Sequence, residues 1–248
     1  MGCFVFVPVR TESSRLPKKA LLPIKKVPLI LNFINRLKKH QFLEKIVVCT
    51  TELQSDDELV TLLEQNQIDV FRGSNVDILD RLHSAAIKYD CDFFVVAEGD
   101  DFFCDINFIK LTCQKLESTD VDFVYWNNAP FGSTPLGIKT ERLGELIKKK
   151  KKKNTETGWG KFIVESGLFR VEIMSPASKR LQRPDIRLSI DYREDLELAE
   201  EILEIIPHDF SLDDVIDVID KNPYLLKINE GVKQKYIDNF EKNRVRLK

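Results

Sequence analysis

Short runs of consecutive apolar residues alternate, along the first half of the chain, with longer stretches in which apolar residues recur every three or four positions. Residues 4–7 (Phe-Val-Phe-Val) form an uninterrupted apolar run, the pattern of a strand covered on both faces. Residues 29–37 carry apolar side chains at helical spacing and are closed by Lys38 and Lys39. A strand at 46–48, a helix at 57–65, a strand at 68–71 and a helix at 77–89 follow. A strand at 93–97, a helix at 107–116 and a strand at 122–126 complete the series. This βαβαβαβ rhythm predicts an α/β fold: a doubly wound, mostly parallel sheet with helices on both faces.

Beyond Trp126 the rhythm weakens. Pro130, Gly132, Pro135 and Gly137 break the pattern, and a lysine run at 148–153 leads into Asn-Thr-Glu-Thr-Gly. Lysines near a helix C-terminus predict a solvated helix end and loop there, in preference to an anion or membrane contact. A strand is expected at 187–191, a helix at 194–205, and a charged helical tail at 213–248. Neither an internal repeat nor a linker is visible. The expectation is a single domain over 1–248 with an irregular subregion at about 126–186.

Composition narrows the function without naming it. The 248 residues are 43% apolar and 31% charged, with a formal net charge of −2. Nothing globally basic points to nucleic acid, so a phosphate ligand has to meet a local cluster of positive charge. The apolar N-terminus is too short for a signal peptide or a membrane span. Phe6 stands where a myristoylation motif wants Ser or Thr. A buried first strand and a cytoplasmic protein with no membrane association are expected. The five cysteines show no paired metal spacing and read as reduced, buried thiols. With His40, His83 and His208 scattered, a zinc site or a histidine-based nucleophile has little support.

The chemistry is expected at the carboxyl ends of the strands, where open α/β sheets bind ligands. After the first strand the chain reads PVRTESSRLPKKALLPI (8–24). Without glycine it is neither a Rossmann turn nor a Walker loop. It offers Arg10, Arg15, Lys18 and Lys19 around two serines, a composition that suits a polyphosphate but equally suits a basic surface loop. The strand at 93–97 runs into Glu98-Gly99-Asp100-Asp101. An aspartate there is placed to hold a divalent cation, and a plain Asp-rich turn accounts for it as well. Asp191 stands between a strand and a helix. With Glu194 it fits a capping box, which is compatible with metal binding at the same rim. In 73–81, Ser74, Asn75 or Asp77 can cap the next helix.

Together these segments resemble the cytidylyltransferases that make CMP-activated sugar acids. This is the CMP-Kdo and CMP-acylneuraminate synthetase type, and the likeness is nearest to its spore-coat polysaccharide branch. The loop matches P-x-R-x-x-S-x-R-L-P-x-K, with Arg10, Arg15, Leu16, Pro17 and Lys19 in register. The acidic segments look like G-D-x-P-L-I-D, through Asp100 and Asp105, and R-L-T-V-D-x-P-E-D-L-E-L, through Asp191. Residues 73–81 look like G-S-x-x-D-V-L-D-R. Lys18 departs from a glycine, and Phe102 and Arg193 from prolines. The resemblance implies a nucleotidyltransferase fold (Rossmann-like, GT-A-like) with a small subdomain or dimerisation arm in the irregular region, and a homodimer. It implies CTP held by the backbone at Pro8 and Val9 and by Arg10, Ser14, Arg15 and Lys19, with Asp77 and Arg81 toward nucleotide or sugar. It implies Mg2+ on Asp100 and Asp191, and Arg15, Lys19 and Asp100 as catalytic residues. The implied reaction puts CMP on a hydroxyl of a small anionic acceptor, a sugar acid, with diphosphate released, for surface polysaccharide synthesis. A phosphonate or alcohol phosphate as acceptor remains an alternative. So do a glycosyltransferase using Asp100 and Asp101, and a non-catalytic relative; two aspartates and three basic residues kept together stand against the last.

Overall fold

In the computed structural model, which describes residues 2–206 and 209–246, the elements run in the following order. β1 (Cys3–Pro8) leads into a small ribbon, β2 (Pro23–Ile24) and β3 (Val27–Pro28), then α1 (Leu29–Lys38), β4 (Leu43–Thr51), α2 (Asp57–Gln65) and β5 (Asp69–Gly73). α3 (Ile78–Lys88), β6 (Phe93–Val96), α4 (Ile106–Ser118), β7 (Phe123–Trp126), β8 (Leu136–Lys139) and α5 (Thr140–Lys149) come next. α6 (Trp159–Glu165), β9 (Val171–Met174), α7 (Arg193–Ile205), α8 (Leu212–Lys221) and α9 (Val232–Asn243) complete the order. His208 and the last two residues of the expected tail fall outside the described residues.

Seven strands form one sheet in the order β5-β4-β1-β6-β8-β7-β9. All run parallel except β8, which is antiparallel to both β6 and β7. The apolar run in β1 explains its central place. Val5 and Val7 point into a core shared with α1, α4, α7 and α8, while Phe6 points into a second core with α3, α5 and α6. Alternation along an all-apolar strand thus supplies both faces of the sheet. All five cysteines are buried free thiols. No helix among the described residues is long and apolar enough to cross a membrane.

The expected elements of the first half are all present, within a few residues at their ends. Three later expectations are corrected. The region 126–186 is not irregular: it supplies β8 and β9 to the main sheet, together with α5 and α6. Both strands have only four residues, too short for a period of two to stand out. Residues 187–191 are not a strand; they hold one bridge, Phe131 to Arg187. The lysine run is not wholly solvated. Lys150 Nζ is buried and pairs with Asp77, although 151–153 are exposed.

Candidate active site

A cleft of about 590 Å³ opens at the carboxyl ends of β1 and β6. Its floor is the loop that follows β1. Val9 N–H donates to Cys49 O (3.1 Å), continuing the β1–β4 ladder past the end of the strand, and Gly99 N–H donates to Pro8 O (3.1 Å). A Cβ on Gly99 would lie 2.9 Å from Val9 Cβ, so only glycine lets the end of β6 come this close to the loop.

Asp56, just before α2, then clamps the loop. It accepts from Thr11 N and Thr11 Oγ1 (both 2.7 Å), from Thr50 Oγ1 (2.9 Å), and from Thr51. Burial pushes its carboxyl up, but the Thr51, Thr11 and Thr50 bonds outweigh burial and hold it below the ordinary value. Lys18 N–H donates to Thr11 O (3.0 Å) and closes the turn. Lys18, the departure from glycine, has φ 54° in the left-handed region, so this chain keeps a glycine-type conformation on a lysine. Its ammonium is held by Glu58 at 2.5 Å.

The two acidic segments are joined through the backbone: Ile190 N–H donates to Asp100 O (2.9 Å). The second segment is set by the turn at Pro130–Ser133. Leu188 and Ser189 N–H both donate to Phe131 O, and Gly132 lies against the Ser189 backbone. Asp195 reaches back from the first turn of α7 to accept from the N–H groups of Asp191 and Tyr192, both at 3.0 Å. The expected capping box of Asp191 and Glu194 is therefore replaced by one based on Asp195. The Asp191 side chain stays in the cleft.

Cations and acids meet there. Lys19 Nζ donates to Asp100 Oδ2 (2.5 Å) and to Asp191 Oδ1 (2.9 Å), and Arg15 donates to Asp191 Oδ1 at 2.6 Å. Arg187, buried, donates to the other Asp191 oxygen (2.8 Å) and makes a forked contact with Asp195. Burial alone would raise Asp191, but Lys19, Arg15 and Arg187 bring it down to about 2. Burial opposes the Lys19 charge, yet Asp100 and Asp191 raise it above the ordinary lysine value. Glu98 behaves oppositely. Burial, then the charge of Asp100, lifts it to about 7, against a hydrogen bond from Trp159 Nε1 (2.9 Å). Asp101 is likewise raised by burial and by Asp100. One carboxylate oxygen from each of Glu98, Asp100 and Asp101 lies within 4.8 Å of the others. A cluster of hard oxygen donors suits magnesium, and Asp191 extends it across Lys19.

Of the residues singled out in the sequence, Pro8, Val9, Arg10, Ser14, Arg15, Lys19, Arg81, Asp100 and Asp191 all line this cleft. Asp77 does not. It caps α3 through Asp80 N (3.2 Å) and accepts from Thr155 Oγ1 (2.6 Å) and Lys150, tying the 150–155 segment to that helix. Arg81 is only 1% exposed, and its guanidinium binds Ser74 O (2.7 Å) and Glu156 (3.0 Å). Asp105 caps α4 and also receives Leu212 N–H. Sequence reasoning missed Asp56, Glu98, Trp159 and the tail. Tyr236 of α9 lies 4.5 Å from Arg187 and 5.8 Å from Arg15, ring centroid to guanidinium. An aromatic stripe in the tail, at helical spacing, was the available signal.

A mostly parallel sheet that gathers a glycine-free basic loop and two acidic segments into one cleft has the layout of a nucleotidyltransferase. The chain belongs to the cytidylyltransferase family, whose model matches residues 4–211. It is 32% identical over 234 residues to the uncharacterised protein MJ1063 of Methanocaldococcus jannaschii, covering 92% of this chain and 95% of that one. It is 24% identical over 225 residues to the spore coat polysaccharide biosynthesis protein SpsF of Bacillus subtilis, covering 88% and 93%. Among solved structures, a cytidylyltransferase from Leptospira borgpetersenii superposes with a TM-score of 0.79 at 26% identity, over 90% of this chain and 95% of that one. A CMP:2-keto-3-deoxy-manno-octonic acid synthetase complexed with CTP shares the fold, with a TM-score of 0.61 at 12% identity over 82% and 99%.

Proposed function

We propose that this cytidylyltransferase moves CMP from CTP onto a hydroxyl of a sugar acid of the Kdo or nonulosonate kind, releasing diphosphate, in surface polysaccharide synthesis. The observation that carries the reading is the meeting of Arg15, Lys19, Asp100 and Asp191 on contacts of 2.5–2.9 Å, from three segments far apart in sequence.

Arg10, Arg15 and Lys19 neutralise the triphosphate, and Arg15 and Lys19 follow the charge that builds on the departing diphosphate. The Pro8–Val9 backbone borders the base. Arg187 and Asp195 orient Asp191, leaving its Oδ1 toward the cations. Asp100 and Asp191, with Glu98 and Asp101 beside them, are the residues that would hold magnesium, which supplies Lewis-acid polarisation of a phosphate oxygen and a lowered hydroxyl pKa. Trp159, which is buried, and Tyr236, which is half-buried, border the cleft beside these groups.

The test is diphosphate release from each of the four nucleoside triphosphates with magnesium and a panel of Kdo, N-acetylneuraminate and 2-aminoethylphosphonate. Release from CTP with a sugar acid is expected. Release with the phosphonate alone would reassign the acceptor, and no release under any condition would refute the transfer.

A further inference from the structure

The last described helix has an unusual division of side chains. In an amphipathic surface helix the stripe i, i+3, i+4, i+7 packs into the core. In α9 that stripe is Tyr236, Asn239, Phe240 and Asn243, and all four line the cleft. Only Val232 of this helix is buried. Outside the stripe, the charged residues Lys233, Lys235, Asp238, Glu241 and Lys242 are all exposed, as are Gln234 and Ile237. Exposed ion pairs from Lys235 to Glu194 (3.1 Å) and from Lys161 to Glu241 (3.7 Å) link the helix to α7 and α6. Val245 N–H, donating to Thr157 O (2.9 Å), fastens the chain just beyond it.

The stripe carries two aromatic rings and two carboxamides, with no charge. Tyr236 and Phe240 are stacked, with centroids 6.0 Å apart and planes at 24°. Asn243 Nδ2 donates to Asn239 O (2.8 Å) and Oδ1 (3.0 Å). That pairing leaves the Asn239 amide N–H groups and the Asn243 carbonyl oxygen available. Such a surface does not neutralise phosphate, a task that the basic loop performs. It fits a neutral ring: apolar C–H faces lie on the aromatics while hydroxyls exchange hydrogen bonds with amides that both donate and accept. The helix lies beyond residues 4–211, the span matched by the family model.

We infer that α9 is the acceptor-selecting wall of the cleft, and that the acceptor presents to it a hydroxyl-bearing ring or polyol face. Its anionic group is left to Lys161, the cation that lines the cleft and pairs with this same helix. The inference rests on the transferase reading above.

The experiment compares the parental protein with Asn239→Ala, Asn243→Ala and Phe240→Leu in two assays: calorimetric titration with CTP and magnesium, and diphosphate release against each acceptor of the panel. The expected result is a CTP affinity within about twofold of the parent in all three, with an acceptor KM raised about tenfold in the asparagine variants, the size of one lost hydrogen bond, and raised also in Phe240→Leu through lost ring contact. Loss of CTP affinity in the asparagine variants, with acceptor KM unchanged, would instead assign the wall to the base. Turnover of 2-aminoethylphosphonate but of neither sugar acid, or CTP binding without turnover of any acceptor, would also overturn the inference. If the parent does not bind CTP at all, the transferase reading itself falls.

Discussion

Single residues that shape the loop bordering this cleft carry distinct tasks, and substitutions separate them. Lys18 adopts a left-handed conformation at a cost of roughly 1 kcal/mol, and its pair with Glu58 is exposed and contributes little. Lys18→Gly is therefore expected to change unfolding free energy by less than about 1 kcal/mol and to retain diphosphate release. Lys18→Val, β-branched at positive φ, is expected to lose stability and turnover together; urea unfolding and the release assay check both. Asp56 makes a different prediction, because its folded pKa lies below the ordinary value of 3.8. A lowered carboxylate adds stability that is present above the unfolded pKa and lost as pH falls through the folded one. Asp56→Asn is expected to cost about 2 kcal/mol at pH 7 and distinctly less near pH 3, read from urea midpoints across pH. An equal loss at both pH values would remove the charge from the explanation. Asp56 was not legible in the sequence, since its partners Thr11, Thr50 and Thr51 are joined only when β1 and β4 pair.

At the scale of elements, the acids depend on a turn that contains no acid. Gly132 has φ 89°, and a Cβ there would lie 2.3 Å from Ser189 N, a backbone atom that cannot swing aside. Gly132→Ala is expected to destabilise the protein by more than about 2 kcal/mol. It should also slow diphosphate release, because the displaced 187–191 segment carries Asp191. A variant that loses stability yet releases diphosphate at the parental rate would show that this turn does not set the acid. The regular elements of the first half could be read because their periods are long and their strands apolar. Residues 187–191 were misjudged because their order comes from bridging to Phe131 and Asp100, contacts that periodicity does not express. The same applies to α9: its helical spacing is visible, but the fact that its stripe faces a cleft is a property of the whole chain.

Across the whole molecule, the sheet brings residues 8–19, 98–101 and 187–191 to one rim, and the motifs of those segments point to residues that line one cleft. Nucleotide chemistry, where it operates, constrains which side chains stand at strand ends. Acceptor selection leaves no comparable mark in sequence, since any surface of suitable shape can serve. Asp77 shows the converse: it matches a motif segment yet is committed to capping α3 and to Lys150. The central claim is that Asp100 is part of a nucleotidyl-transfer site. Its most direct test is the rate of diphosphate release from CTP, with magnesium and the acceptor that the parental protein uses, in Asp100→Asn. The account predicts a fall of at least about a hundredfold in a variant that unfolds at the parental midpoint. Release at the parental rate from a normally folded Asp100→Asn protein would contradict it.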